Sequence, residues 1–104
     1  MDTGMSVSET TAKLIWEKSD GSTVEFPLTA EVTSIGRDAE ADIVIDEPLV
    51  SRIHARIERR GDQCVLIDVG STNLTRVNGD VVVEHALSSG DVVRFARAYC
   101  RFER

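Results

Sequence analysis

Residues 68–79 read DVGSTNLTRVNG, and this stretch decides the fold class. It overlaps the end of the most apolar run of the chain, residues 64–69, which is typical of a central strand. It closes with Asn78-Gly79, a dipeptide that favours a two-residue β-hairpin because both residues tolerate positive φ. The small polar residues 70–73 between these signals predict a loop that joins two strands.

Outward from this stretch, the chain continues as short alternating runs separated by turn residues. Residues 12–17 and 24–28 alternate around Asp20-Gly21 and predict a hairpin. No 11-residue window sustains the 3.6-residue period of an amphipathic helix. About ten short strands with turns every 8–12 residues predict an all-β sandwich or barrel. The remaining strands are predicted at residues 32–36, 42–46, 54–60, 64–69, 77–81, 92–95 and 99–102.

Length and charge exclude several classes of function. The 104 residues support one domain at 12–104, preceded by a small, polar, flexible tail at 1–11. The absence of an 18-residue apolar run argues against a membrane-spanning helix, and no signal peptide is present, so we expect a cytoplasmic protein. The net charge of −6 argues against nucleic-acid binding. The charge is uneven, because residues 1–50 carry −8 and residues 51–104 carry +2.

The cysteine content predicts neither a metal site nor a disulfide framework. Cys64 and Cys100 each lie in an apolar run, and neither belongs to a CxxC pair. They are therefore interpreted as reduced core residues of a cytosolic protein. No cofactor is predicted.

Three predicted loops carry an unusual set of polar residues at strand ends. They are Gly36-Arg37, residues 51–54 (Ser-Arg-Ile-His) and residues 70–73. Side chains at strand ends can face a ligand, and binding residues often lie on loops held by a rigid sandwich. We therefore expect a binding site where these loops meet.

Taken in chain order, these segments resemble the forkhead-associated (FHA) domain. The pattern of that family is Gly-Arg, then Ser-x-x-His, a Ser-x-Asn-Gly-Thr-x-x-Asn-Gly run and a late Gly-Asp. The matching segments are Gly36-Arg37, residues 51–54, residues 71–79 and Gly90-Asp91. The resemblance implies an eleven-strand β-sandwich of two antiparallel sheets, of the FHA/SMAD-like type, that binds phosphothreonine peptides.

The resemblance also implies a role for each matching loop residue. Arg37 would contact the phosphate, Ser51 would hydrogen-bond a phosphate oxygen, and Arg52 would lie beside them. Thr72 would lie close to the phosphothreonine, and Asn73 would hold the peptide main chain. Two arginine forks and a hydroxyl suit a group with a charge of about −1.5 to −2. The implied partner is a phosphothreonine-containing protein, either a Ser/Thr kinase or its substrate.

Gly36 and His54 would support the site structurally, and two positions depart from the family pattern. Leu74 and Ala96 stand where the family usually has glycine. At Leu74 this predicts either a turn with negative φ or a strained turn. The departure at Leu74 motivates an alternative function on the same fold, a phospho-independent interaction or oligomerisation module.

Simpler interpretations stand beside these assignments. Arg37 alone would more often be a surface arginine paired with Asp38 or Glu40. Thr72 and Asn73 can simply close a turn. Catalysis is not predicted, because Ser51 lacks the glycine-flanked nucleophile elbow of a hydrolase. A basic group late in the chain is interpreted as a solvated strand face that balances the acidic first half: Arg94, Arg97, Arg101 and Arg104.

The N-terminal tail suggests one further hypothesis. Residues 9–11, Glu-Thr-Thr, look like the phosphorylated tail of small actinobacterial FHA proteins, which binds its own domain and switches it off. Reach argues against this in the present chain, because the first predicted strand begins at residue 12 and each extended residue spans only about 3.5 Å. A flexible tail without this role is the alternative.

Overall fold

In the computed structural model, residues 12–104 form a sandwich of two β-sheets, and the tail 1–11 with its Glu-Thr-Thr segment lies outside these described residues. The eleven-strand sandwich implied by the resemblance is confirmed. The strands are β1 (Lys13–Glu17), β2 (Thr23–Pro27), β3 (Val32–Gly36), β4 (Ile43–Val44), β5 (Ala55–Arg60), β6 (Gln63–Asp68), β7 (Thr75–Val77), β8 (Asp80–Val82), β9 (Glu84–Ala86), β10 (Val92–Phe95) and β11 (Ala98–Glu103).

The six-stranded sheet has the order β2-β1-β11-β10-β7-β8, and the five-stranded sheet has the order β4-β3-β5-β6-β9. Neighbouring strands are antiparallel except β3 and β4, which pair in parallel at the edge of the smaller sheet. After β3, the amides of Arg37 and Asp38 bond the carbonyls of Ser51 and Arg52, each at 3.0 Å. The chain therefore makes no tight hairpin after β3, and β4 joins the sheet parallel to β3.

Alternation along the strands fills the space between the sheets. The larger sheet contributes Leu14 from β1, Phe95 from β10 and Phe102 from β11 to the largest buried side chains. The smaller sheet contributes Ile57 and Leu66. Removal of this apolar surface from water is the main favourable contribution to folding. Along β5, β10 and β11 the outward residues are more polar, which is the usual pattern of a two-sheet sandwich.

The two cysteines occupy this core as the sequence predicts. Cys64 and Cys100 are buried and unpaired. Burial raises the pKa of the Cys100 thiol, with a smaller contribution from the negative charge of Glu17. Cys100 is therefore a packing residue and not a reactive thiolate.

The turns explain two of the unusual backbone positions. Asn78 and Gly79 have φ of 52° and 92°, which confirms the predicted hairpin between β7 and β8. Ala96 has φ of 56° and begins the two-residue turn between β10 and β11. Ala96 thus occupies a conformation that glycine adopts more easily.

Strand β9 is absent from the sequence-based prediction. It has only three residues, Glu84–Ala86, and lies at the edge of the smaller sheet beside β6. Its pattern is too short and too polar to signal a strand, so its pairing depends on β6. Within residues 12–104 the chain forms no helix with the length and hydrophobicity needed to cross a bilayer.

The strand registers bring the three polar loops to one end of the sandwich. Ile35 near the end of β3 lies opposite Ala55 at the start of β5, and Ala55 lies opposite Asp68 at the end of β6. In the other sheet, Phe95 at the end of β10 lies opposite Thr75 at the start of β7. The β3–β4, β4–β5 and β6–β7 loops and the β10–β11 turn therefore meet at the same end.

Candidate functional site

Arg37 is held at the surface by contacts with the β4–β5 loop. Its amide donates to the carbonyl of Ser51 at 3.0 Å, and its Nε donates to the carbonyl of Val50 at 3.0 Å. The two terminal amino groups of the guanidinium have no hydrogen-bond partner among residues 12–104. Arg37 also has no ion pair with Asp38 or Glu40 in this part of the chain. The fork is therefore oriented by Nε and keeps its outer donors available.

Gly36 sets the distance between the first two loops. A Cβ atom at this position would lie 1.9 Å from the carbonyl oxygen of Arg52. Only glycine permits this approach, which places Arg37 beside Ser51. Arg52 itself is exposed next to Arg37, and its carbonyl accepts the amide of Asp38.

Ser51 joins the second loop to the third. Its Oγ accepts the amide of Thr72 at 3.1 Å, across 21 residues of sequence. A serine hydroxyl has one proton to donate, and this bond uses only an oxygen lone pair. The Ser51 proton therefore remains available to a ligand oxygen. The side chain of Thr72 is exposed on the same surface.

Asn73 makes a second bridge between these loops. Its Nδ2 donates to the carbonyl of Leu49 at 2.9 Å. That contact fixes the amide plane and leaves Oδ1 and one N–H free to bond an extended peptide. The structure thus brings Arg37, Ser51, Thr72 and Asn73 onto one surface, with Arg52 at its edge.

His54 supports the loops from below and does not reach the surface. Its Nδ1 accepts the amide of Ser51 at 3.1 Å, and its Nε2 donates to the carbonyl of Leu74 at 3.0 Å. The ring packs edge-on against Phe95 with centroids 5.6 Å apart. Burial lowers the pKa of His54, opposed by its bond to Leu74 and the charge of Asp68. The neutral ring can therefore accept and donate in this arrangement.

The predicted strand at residues 54–60 includes His54, and this boundary is wrong by one residue. The strand begins at Ala55, so His54 precedes it and turns into the core, where it is fully buried. Strand periodicity applies only to residues within the strand. The two hydrogen bonds of the ring compensate for the burial of its nitrogens.

Asp68 organises the third loop, although the sequence pattern does not assign it this role. Its Oδ1 accepts the amides of Gly70 and Ser71 at 2.8 and 2.9 Å. Its Oδ2 accepts the hydroxyls of Ser71 and Thr75, the latter at 2.8 Å. Burial raises the pKa of Asp68, but these hydrogen bonds outweigh it and hold the pKa below its ordinary value. An aspartate two residues before Gly70-Ser71, which is a typical Asx-turn pattern, is the signal that points to this role.

Leu74 adopts the conformation that glycine would adopt. Its φ is 72°, so of the two predicted alternatives the strained turn is observed. The side chain is exposed, while the carbonyl accepts bonds from His54 and from the amide of Ala96 at 3.1 Å. The leucine therefore preserves the backbone of the loop at a cost of about 1–2 kcal/mol in conformational energy.

Comparison with known proteins agrees with this architecture. The family model described as "FHA domain" matches residues 33–96, which contain all three loops and the hairpin after them. This match covers more than half of the chain. The chain belongs to the FHA domain family.

Individual relatives are similar over most of the chain. The oxoglutarate dehydrogenase inhibitor of the bacterium Corynebacterium jeikeium (strain K411) is 37% identical over 89 residues, which cover 86% of this chain and 62% of that protein. The chain thus spans less than two thirds of the length of this relative. The relative is named as a regulator of an enzyme.

Two solved structures have the same fold. One, from a structural and functional analysis of phosphothreonine-dependent FHA domain interactions, has a TM-score of 0.83 and 32% identity, and covers 91% of this chain and 97% of that chain. The other is the FhaA FHA domain complexed with the intracellular domain of Rv3910. Its TM-score is 0.81 with 31% identity, and it covers 89% of this chain and 100% of that chain.

Proposed function

We propose that this domain binds phosphothreonine peptides in Ser/Thr kinase signalling. The phosphate would be held by Arg37, Ser51, Arg52 and Thr72, and Asn73 would hold the peptide main chain. The observation that carries the proposal is the Ser51 Oγ to Thr72 amide bond. This bond joins two loops above the buried His54 and uses only a lone pair of the Ser51 oxygen, so the hydroxyl can still donate to a ligand.

The donors on this surface suit a phosphate dianion. Arg37 offers two outer amino groups, Arg52 adds a second positive charge, and Ser51 adds a short hydroxyl donor. The anion needs no metal ion to neutralise it, because two guanidinium groups balance a charge of about −2. Binding requires no base or nucleophile, and we propose a recognition module without catalysis.

The relatives support this choice of ligand and partner. One similar structure is described by phosphothreonine-dependent interactions, and another holds an FHA domain against the intracellular domain of a second protein. We propose that the partner here is likewise a phosphorylated protein, either a Ser/Thr kinase or its substrate. The proposed setting is the cytoplasm, where two buried free thiols remain reduced.

A phosphothreonine peptide library, randomised at all other positions, supplies the probe. The selected peptide and its unphosphorylated form are then titrated by calorimetry into the wild type. We expect binding only with phosphate, and a loss of at least 50-fold in Arg37→Ala. Arg37→Lys should lose at least 5-fold, because it keeps the charge but not the fork.

Arg104→Ala is the matched control for the loss of one positive charge. Arg104 is exposed and directly follows β11. The Arg104→Ala variant should bind the phosphopeptide with an affinity within 2-fold of the wild type. Unchanged affinity in Arg37→Ala, with the fold intact by circular dichroism, would remove the proposed mechanism.

One observation favours the alternative, a phospho-independent interaction module. Four exposed aliphatic side chains lie on or beside the same loops: Leu49, Ile53, Val69 and Leu74. Exposed apolar groups of this kind often mark protein contacts. Equal affinity for the phosphorylated and unphosphorylated peptides would favour this second function.

A further inference from the structure

A strip of four side chains crosses the outer face of the larger sheet. The strand registers place Tyr99 opposite Arg94, Arg94 opposite Arg76, and Arg76 opposite Val81. Arg76, Arg94 and Tyr99 point outward, because their neighbours along the strands are buried. Val81 lies on the edge strand β8. Tyr99 and Val81 are 49% and 51% exposed. We call these four residues the arginine strip.

The two arginines of the strip lack carboxylate partners among residues 12–104. Among the other strand arginines, Arg56 and Arg60 bond Glu58, and Arg101 bonds Glu17 and Glu103. Arg59 also lacks a carboxylate partner in this part of the chain, but it donates to the carbonyl of Thr29. Arg94 and Arg101 both lie on the outer face of this sheet, but only Arg101 has carboxylate partners there.

Arg76 and Arg94 instead lie side by side on adjacent strands. Like charges directly opposite each other destabilise a sheet. A chain with a net charge of −6 has acids to spare, yet none within residues 12–104 forms an ion pair with either arginine. In this part of the chain the pair is therefore a positive charge without a bonded carboxylate.

Arg94 is ordered and directed toward the candidate site. Its guanidinium carbon lies 5.4 Å from the Tyr99 ring centroid, and its Nε donates to the carbonyl of Ala96 at 3.2 Å. Ala96 in turn bonds the carbonyl of Leu74. Arg76 follows Leu74 by two residues, so the strip begins where the Thr72 loop ends.

We propose that the arginine strip is a second binding surface, which takes an acidic segment of the same partner that the loops bind. Tyrosine and arginine are the residue types that contribute most to protein interfaces. Four strands at about 4.8 Å spacing give the strip a length of about 14 Å, which matches four extended residues. Charge complementarity selects Asp or Glu for those residues. The inference rests on the proposed function, because the phosphothreonine held by the loops would bring the acidic segment of the partner to the strip.

The test uses the library-selected phosphopeptide with a Gly-Gly spacer and four added residues at either end. The added residues are Asp in one set and Asn in the other, and affinities are measured at 50 and 300 mM NaCl. We expect one Asp extension to tighten binding at least 5-fold over its Asn form at low salt. The gain should shrink at high salt, because exposed charges are screened.

The double variant Arg76→Gln/Arg94→Gln should lose this gain, and Arg104→Gln should keep it. Equal affinity for the Asp and Asn extensions in the wild type would overturn the inference while leaving phosphate recognition intact. A gain that persists in the double variant would overturn it as well.

A second measurement tests binding to the arginine strip with a peptide that contains no phosphothreonine. Titration of a Gly-Gly-tetra-Asp peptide is followed by the amide shifts of Arg76, Arg94 and Tyr99 in the nuclear magnetic resonance spectrum. We expect shifts at these residues, and none in the double variant. The absence of shifts in the wild type would overturn the inference whether or not the loops bind phosphate.

Discussion

Gly36 and Arg52 approach so closely that a Cβ atom on Gly36 would lie 1.9 Å from the Arg52 carbonyl oxygen. Gly36→Ala must therefore push the β4–β5 loop away from β3. We expect the free energy of unfolding to fall by about 2–3 kcal/mol, as for an overpacked buried site. Phosphopeptide affinity should fall with it, because Arg37 depends on the carbonyls of Val50 and Ser51. Urea unfolding and calorimetry measure the two effects.

Gly61→Asn is the matched control for this substitution. Gly61 has φ of 63° and no neighbour within 4 Å of a Cβ position, and asparagine tolerates this conformation. It should change neither stability nor affinity by a measurable amount. Wild-type stability in Gly36→Ala would contradict the close approach.

Asp68 should control ligand binding without touching the ligand. Asp68→Ala removes the acceptor of four hydrogen bonds that shape the loop carrying Thr72 and Asn73. We expect a loss of about 2–3 kcal/mol in stability, as for hydrogen bonds to a charged group, and at least a 10-fold loss of phosphopeptide affinity. Asp62→Ala, at an exposed turn, should leave both unchanged. Retention of full affinity in Asp68→Ala would show that the loop keeps its shape unaided.

Leu74 should tolerate asparagine better than valine. At φ of 72° a β-branched side chain is a genuine outlier, so Leu74→Val should lower the free energy of unfolding by at least about 1 kcal/mol. Leu74→Asn should be at least as stable as the wild type, because asparagine adopts this region readily and relieves the strain of leucine. Chemical denaturation measures all three proteins.

Leu49→Val controls for the change from leucine to valine. Leu49 is 44% exposed, close to the 42% of Leu74, but has no positive φ. Its substitution should change stability by less than about 0.5 kcal/mol. Equal effects at the two positions would argue against conformational strain at Leu74.

His54 should make the domain less stable in mild acid. Burial lowers the pKa of the His54 ring in the folded domain below 6.5. Between the folded and unfolded pKa values, the ring is therefore protonated in the unfolded chain and neutral in the folded chain. The stabilising contribution is complete above pH 6.5 and is lost as the pH falls from there toward the folded pKa. Urea unfolding between pH 7.5 and 5.5 measures the decline in the free energy of unfolding. His85→Gln is the control, and this variant should show the same decline as the wild type.

The ring itself gives a second measurement. Nitrogen shifts of His54 in a pH titration should show a ring protonated at Nε2 that stays neutral to a lower pH than an ordinary histidine. A ring in the folded domain that becomes charged at the pH of an ordinary histidine, or above it, would contradict the assigned hydrogen bonds.

Much of the fold could be predicted because its signals are local. Alternating runs mark most strands, and Asn78-Gly79 marks a hairpin that the observed φ values confirm. The residues of each loop motif are neighbours in sequence, so the resemblance is enough to predict roles for Arg37, Ser51 and Asn73, and these roles stay predictions. The short edge strand β9 could not be predicted, because the three residues Glu84–Ala86 are too few to show a period and their pairing depends on β6.

The sequence by itself determined which side chains are present at the ends of the strands and that their chemistry suits a phosphate. Only the tertiary structure decided their arrangement. Gly36 beside Arg52, His54 beside Leu74 and Arg76 beside Arg94 are each contacts between distant segments. Such contacts follow from strand register and loop closure, which are set by the packing of two complete sheets. No local pattern encodes them, because the partners lie 16, 20 and 18 residues apart and their meeting depends on the core between them.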